Sequence, residues 1–265
     1  MSFLGDGTLA SIALHALAVM LTLAIATWVV ATMKRDVSIV DSMWSVMIFA
    51  GALVYWAELA HSSRATLACG LVALWAARLA IYITWRNWGE PEDRRYRAIR
   101  ERNSPNFALK SLYLVFGLQA FLACIVSMPL LAAMASSQDL GALDVAGAAL
   151  VAFGIAFESV GDFQLARFKA KPGNRGRVMD SGLWHYTRHP NYFGEFCVWW
   201  GFYLVALGAG GAWSMISPLL MTLLLTKVSG VALLEGDLSR QKPDYVEYVR
   251  RTPTFFPGRP RGASQ

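Results

Sequence analysis

The hydrophobic pattern of this chain consists of long apolar runs separated by short polar connectors. A run of about 20 apolar residues is long enough to cross a bilayer as an α-helix. The pattern predicts seven such helices, near residues 9–33, 38–58, 65–86, 108–134, 142–167, 191–210 and 212–235. We therefore expect an all-α, polytopic membrane protein with seven transmembrane helices. It would form a single domain over 1–265, with a polar tail over 236–265.

The basic residues are distributed unevenly over the connectors, and this predicts an orientation. One set of connectors holds Lys34 and Arg35, the basic residues from Arg94 to Lys110, those from Lys169 to Arg188, and those from Arg240 to Arg261. The opposite connectors hold Arg64 alone. Because cytoplasmic loops are enriched in Lys and Arg, we expect the N-terminus outside and the C-terminus in the cytoplasm. An odd number of spans, such as seven, satisfies this orientation.

Composition excludes several classes of protein. Hydrophobic residues make up 55% of the chain and charged residues only 16%, too much apolar surface for a water-soluble core. The net charge of +6 lies between apolar runs, so we attribute it to topology and anion binding and expect no nucleic-acid partner. Cys69, Cys124 and Cys197 lie in apolar runs without metal-ligand spacing, so neither a metal site nor a disulfide framework is expected.

Several predicted helices carry polar side chains at depths where lipid disfavours them. Their recurrence every three or four residues places them on common helix faces. They are Asp41 and Trp44 in the second helix, Trp75, Arg78, Tyr82 and Arg86 in the third, and Glu158, Asp162 and Lys169 in the fifth. A charge near a helix end can reach the headgroups, but Arg78 and Asp162 lie deeper. We interpret these stripes as the lining of one polar cavity in the cytoplasmic half.

The highest density of polar groups next to an apolar run occurs in residues 182–201. The residues of interest there are Trp184, Tyr186, Arg188, His189, Asn191, Tyr192 and Glu195. Guanidinium groups match phosphate oxygens, and carboxylates accept hydrogen bonds from ribose hydroxyls or amides. Neither a GxGxxG motif nor a P-loop is found, so a nucleotide would be held by helix side chains. The basic segment 169–177, which contains Arg177, would assist.

Residues 182–195 contain the pattern Gly-Leu-Trp-x-x-x-Arg-His-Pro-Asn-Tyr-x-Gly-Glu. It resembles the C-terminal signature shared by membrane steroid 5α-reductases, sterol C14- and C7-type reductases, and isoprenylcysteine carboxyl methyltransferases. Two further stretches favour the reductases. Residues 35–44, Arg-Asp-Val-Ser-Ile-Val-Asp-Ser-Met-Trp, look like the N-terminal signature of the bacterial 5α-reductase-like branch. Asp162 with Lys169 and the following Lys-Pro-Gly is similar to a 5α-reductase stretch. Methyltransferases usually carry Glu-Glu in the last helix, where this chain has Glu235-Gly236-Asp237.

The resemblance implies NADPH as the cofactor and assigns roles by position. Asn191 and Tyr192 match the pair near the nicotinamide, with Glu195 following as in the family. Arg177 matches a residue that meets the adenosine phosphate, Asp162 an acidic cofactor contact, and Arg78 an arginine facing the cofactor. Trp184 to His189 would lie near the phosphates. Glu235 falls near a histidine that contacts the cofactor in animal enzymes, and this difference leaves its role open.

At the substrate end, the family uses a glutamate of helix two and a tyrosine of helix three to hold the 3-oxo group. Asp41, with Trp44 on its face, falls near the glutamate, but Trp75 falls near the tyrosine. An indole donates a hydrogen bond but cannot act as a general acid. Either burial keeps Asp41 protonated, or another hydroxyl serves.

The expected activity is NADPH-dependent reduction of the 4,5 double bond of a 3-oxo-4-ene steroid or a similar lipophilic enone. The substrate would enter from the bilayer of a bacterial inner membrane, and the active site of a monomer would face the cytoplasm. The alternative is a methyltransferase that uses S-adenosylmethionine. A transporter is less favoured because the polar positions avoid the midplane and paired broken helices are absent from the pattern.

Overall fold

The computed structural model describes residues 6–228 and 243–261, and over these residues the chain forms helices and no strands. The longer helices are α1 (Asp6–Lys34), α2 (Ile39–Glu58), α3 (Ser63–Asn87), α4 (Arg94–Arg102), α5 (Phe107–Met134), α6 (Ala142–Lys169), α7 (Leu183–Tyr186), α8 (Pro190–Gly208), α9 (Ala212–Val228) and α10 (Pro243–Arg251). Helix α5 has π-helical geometry at Leu112–Gly117, and α9 has it at Leu224–Val228. A 3₁₀ turn follows α6 at Pro172–Asn174.

The helical class and the presence of several membrane-length helices are confirmed. Among the described residues, five helices are long and apolar enough to cross a membrane: α1, α2, α3, α5 and α6. The predicted sixth span corresponds to α8, a helix of 19 residues that is not one of these five. The predicted seventh corresponds in part to α9, and its remainder up to residue 235 lies outside the described residues. The number seven and the orientation remain predictions.

The chain divides into two compact units. The first contains Met1–Val145 and Val205–Ser217, and the second contains Ala146–Leu204 and Pro218–Gln265. In the first unit, α2 packs against α1, α3 and α5. At the contact of α1 and α2, the terminal methyl group of Met20 occupies the space beside Gly51 where a Cβ atom would lie. The hydroxyl of buried Tyr55 is paired at 2.8 Å with that of Ser127 in α5, so the polar atoms in this apolar core are satisfied.

A buried ion pair joins the start of α3 to the start of α6 within the first unit. Arg64 and Asp144 side chains are each 1% exposed, and the guanidinium donates to both carboxylate oxygens at 2.6 and 2.8 Å. Arg64 also donates to Ser136 and to the backbone oxygens of Gln138 and Asp139. Arg64, the single basic residue that the sequence analysis found in the opposite connectors, is therefore neutralised inside the protein by Asp144.

Glycines form the seam between α6 and α8 in the second unit. A Cβ atom on Gly201 would lie 2.8 Å from the Gly147 carbonyl oxygen, and one on Gly194 would lie 2.7 Å from that of Gly154. One turn of chain farther, Gly161 meets Pro190. Small residues allow helix backbones to approach closely in membrane proteins. The two helices therefore run antiparallel in close contact, and this positions their polar side chains.

Candidate functional site

Asp41 lies in the first turn of α2, where two side chains of α4 reach its carboxylate. The guanidinium of Arg95 donates to Oδ2 at 2.8 Å, and the hydroxyl of Tyr96 donates to Oδ1 at 2.5 Å. Tyr96 is buried, whereas the side chains of Arg95 and Asp41 are 34% and 17% exposed to solvent. The predicted substrate-binding carboxylate is thus part of a triad with a cation and a hydroxyl.

The connector that carries α4 is tied to the loop between α1 and α2. The backbone N–H of Val37 donates to Glu92 at 2.9 Å, and that of Asp93 donates to the Ser38 hydroxyl at 2.7 Å. Arg100 binds Glu92 and donates to the carbonyl oxygen of Arg35. Backbone groups of Arg35 and Val37 and the side chain of Ser38 therefore hold α4 in place, and α4 in turn presents its side chains to Asp41.

Burial and neighbouring charges shift the pKa values of Tyr96, Glu92 and Asp93 in the connector. Burial raises the pKa of Tyr96, and the neighbouring Asp41 carboxylate raises it further, so the hydroxyl keeps its proton at neutral pH. Burial alone would raise the pKa values of Glu92 and Asp93, but hydrogen bonds from Arg100 and Arg95 respectively bring them below the ordinary range. Such carboxyls stabilise the fold above their ordinary pKa, and this contribution is lost as the pH falls through the lowered values.

The predicted stripe on α3 separates into two parts. Trp75 is fully buried in the core, and Ser45 of α2 donates to the neighbouring carbonyl oxygen of Ala76. Farther along, the ring of Tyr82 lies between the guanidinium groups of Arg78 and Arg86, at 5.3 and 5.8 Å from its centroid. Trp44 of α2 is partly buried. The structure thus forms a cation–π ladder from three of the predicted cofactor residues.

In the second unit, the α6–α8 seam brings predicted acidic and amide residues together. Gly194 packs against Glu158, and Gly161 lies against Pro190 and the backbone of Asn191. Glu158, Asp162, His189 and Glu195 are all at least 95% buried. Glu195 accepts a hydrogen bond from the Trp199 indole at 3.0 Å, and the His189 and Tyr192 rings stack with centroids 5.5 Å apart. Glu158 and Asp162 lie in the membrane-length helix α6, and ionisable groups buried in such helices mark a candidate functional site.

Helix α7 is fixed between α6 and the C-terminal segment. The indole of Trp184 donates to the carbonyl oxygen of Gly161 at 2.9 Å, and the carbonyl oxygen of Trp184 accepts from Tyr248. Tyr186 is exposed, and its carbonyl oxygen accepts from the N–H of Gly258 at 3.0 Å. The structure therefore gives Trp184 a packing role and leaves the Tyr186 ring accessible.

Arg188 binds the C-terminal segment. Its guanidinium donates to the carbonyl oxygens of Val249 and Thr252 at 2.7 and 2.9 Å and to the Thr254 hydroxyl at 2.7 Å. Its backbone N–H donates to Pro253 at 3.0 Å. A cation that binds the last carbonyls of a helix stabilises the helix end. Arg188 thus caps α10, whereas the sequence analysis assigned it to phosphates.

The basic segment after α6 forms an exposed turn. Lys169 and Arg177 are both exposed, and Gly176 has a φ of +80° that favours glycine. The side chain of Asn174 donates to the carbonyl oxygen of Phe168 at 2.8 Å and closes the turn. Glu235 lies outside the described residues.

Arg95 and Tyr96 are the site residues that the sequence analysis missed. Both belong to a connector whose basic residues were taken as a signal of topology. They lie 54 and 55 positions from Asp41, and no periodicity links side chains at such a distance. The signal in the sequence that could have identified Tyr96 as a site residue is its position as an aromatic hydroxyl in an arginine-rich segment.

Together, the fold and these residues define a helical membrane protein with polar side chains buried in its membrane-length helices. Residues 27–252 match the family described as protein of unknown function (DUF1295), and the chain belongs to this family. The family is part of the steroid 5α-reductase-like superfamily, which agrees with the motifs at this level. Searches of curated proteins and of solved structures find no match.

Proposed function

We propose that this protein is an NADPH-dependent reductase of lipophilic enones, with 3-oxo-4-ene steroids as the model substrate class. The observation that carries the proposal is the group of buried Glu158, Asp162, His189 and Glu195 at the α6–α8 seam. Burial of so many ionisable groups costs free energy that a simple span would avoid. Carboxylates and an imidazole at this seam suit a polar ligand that carries hydroxyl and amide groups.

The residues present fit the proposed cofactor. Carboxylates such as Glu158 and Asp162 are acceptors suited to ribose hydroxyls, and the side-chain amide of Asn191 suits a carboxamide. The exposed cations Lys169 and Arg177 suit phosphates. When bound, NADPH supplies a hydride for the β-carbon of an enone.

For the substrate end, we propose that the group formed by Asp41, Arg95 and Tyr96 polarises the substrate carbonyl. In the free protein the O–H of Tyr96 donates to Asp41; on substrate binding it would turn to the substrate carbonyl oxygen and stabilise the charge that develops there. Asp41 orients this hydroxyl, and Arg95 holds Asp41 through an ion pair. Tyr96 is thus the hydroxyl that takes the place of the family's helix-three tyrosine, where this chain has Trp75.

Ligand binding separates this proposal from the methyltransferase alternative. We expect NADPH to raise the melting temperature of the purified full-length protein and S-adenosylmethionine to leave it unchanged. Stabilisation by S-adenosylmethionine alone would favour the methyltransferase and contradict the reductase. Consumption of NADPH with a panel of enones, with the products identified, then defines the substrate class.

Replacement of Arg177 by alanine tests the predicted preference for NADPH over NADH. A guanidinium bound to the 2′-phosphate contributes a charge-assisted hydrogen bond, so we expect the Kd for NADPH to rise about tenfold and that for NADH to stay unchanged. The matched control is Arg167→Ala, which removes another exposed cation from the same end of α6. If the ratio of the Kd for NADH to the Kd for NADPH were the same in both variants, the proposed role of Arg177 would be contradicted.

A further inference from the structure

The outer side of α4 and the adjoining loop carry a set of exposed cations that the proposed reaction does not use. We call Lys34, Arg35, Arg97 and Arg102 the basic patch; all four side chains are exposed. Arg95 and Arg100 of the same helix bind carboxylates instead. The bond from Arg100 to the Arg35 carbonyl oxygen, at 3.2 Å, holds the two parts of the patch together.

Arg35 occupies a position where the backbone favours a different residue. Its φ is +54°, in the left-handed region that costs a side-chain-bearing residue about 1 kcal/mol relative to glycine. This conformation ends α1, because the N–H of Asp36 turns back to the carbonyl oxygen of Ala31 at 3.0 Å. A glycine would end the helix with less strain. The Arg35→Gly change is therefore compatible with the backbone of this turn.

Exposed indoles indicate the environment of the patch. Trp85 and Trp88 at the end of α3 are 63% and 82% exposed, and α4 begins six residues after Trp88. Large exposed indoles at the end of an apolar helix are typical of the membrane–water interface. Arginines that follow such indoles along the chain are suited to lipid phosphates, whose oxygens match the guanidinium fork.

We propose that the basic patch binds the headgroups of acidic phospholipids. Each basic residue near an anionic membrane surface strengthens binding about fivefold. The ligand class follows from charge complementarity and from the neighbouring interfacial indoles. This binding surface is independent of the proposed reductase activity.

Native mass spectrometry of the full-length protein in detergent tests the proposal, with phosphatidylglycerol and phosphatidylcholine offered at equal concentration. We expect preferential binding of phosphatidylglycerol, weakened about 25-fold in the Arg97→Gln/Arg102→Gln variant. The control is Arg250→Gln/Arg259→Gln, which removes two exposed arginines from α10 and the tail. Equal losses in both variants would show a general charge effect and overturn the proposal.

The Arg35→Gly variant provides a second test, because lipid binding and thermal stability are expected to change in different directions. We expect it to weaken phosphatidylglycerol binding about fivefold, while the melting temperature in phosphatidylcholine stays equal or rises because the backbone strain is relieved. Unchanged phosphatidylglycerol binding in this variant would show that Arg35 does not contribute to the basic patch. Displacement of the lipid by an equal concentration of glycerol 3-phosphate would overturn the lipid assignment in favour of a soluble phosphate.

Discussion

Replacement of Tyr96 by phenylalanine is expected to lower kcat for enone reduction by about 10²- to 10³-fold, the range for loss of one hydrogen-bond donor to a developing oxyanion. The variant removes one hydroxyl, which donates to Asp41 at 2.5 Å in the free protein. The Kd for NADPH should stay within about twofold, because an interaction made only in the transition state affects kcat and leaves ligand binding unchanged. Single-turnover kinetics and NADPH titration measure the two quantities.

Tyr113→Phe is the matched control, because Tyr113 is a 62% exposed tyrosine of α5 in the same unit. It should keep the turnover of the native protein. Asp41→Asn should also reduce turnover more than cofactor affinity, because it disturbs the group that orients Tyr96. A Tyr96→Phe variant that turns over normally would exclude this hydroxyl as the hydrogen-bond donor. Loss of NADPH binding in either variant would place the residue at the cofactor instead.

Replacement of Arg64 by leucine should destabilise the protein by about 3–5 kcal/mol, the cost of leaving one member of a buried ion pair unpaired. Both side chains are 1% exposed, so water cannot solvate the remaining Asp144 carboxylate without opening the structure. The loss of the bonds to Ser136, Gln138 and Asp139 adds to this effect. Reversible unfolding of the detergent-solubilised protein measures the change.

The double variant Arg64→Leu/Asp144→Leu separates the ion pair from side-chain packing. Because a buried pair replaced by apolar residues is often neutral, we expect it to recover more than half of the lost stability. Arg250→Leu, at a side chain that is 75% exposed, should change the free energy of unfolding by less than about 0.5 kcal/mol. If Arg64→Leu matched this control, the buried pair would not be a major source of stability.

The helical class and the bounds of most helices follow from the sequence, because lipid requires apolar runs of a fixed length. The predicted runs 38–58 and 142–167 agree with α2 and α6 within two residues at each end. Helix α10 lies in the segment that the sequence analysis described only as a polar tail. The division of the sixth and seventh runs was predicted near residue 211, where the structure begins α9. Helix α4 was missed because the segment is rich in arginine and has no apolar run that would indicate a span.

For the candidate site, the sequence identified which side chains are unusual but not what they contact. It singled out Arg188 correctly as a polar residue of a dense motif, yet only the fold shows that its guanidinium caps α10. It placed Asp162 and Glu158 on one helix face, and the structure confirms that both are buried. It noted Arg64 only as the single basic residue of the opposite connectors, because nothing in the local pattern indicates its partner 80 residues away.

The sequence by itself determined an all-helical membrane protein, the motif at 182–195 and the superfamily that this motif indicates. These features are local, since hydropathy depends on runs of residues and a motif on fixed spacing. The tertiary structure decided which hydroxyl accompanies Asp41, because the connection from α2 to Tyr96 passes through the whole of α3. It likewise decided that glycines set the distance between α6 and α8. Contacts of this kind depend on how helices pack, and the spacing of residues along the chain does not specify them.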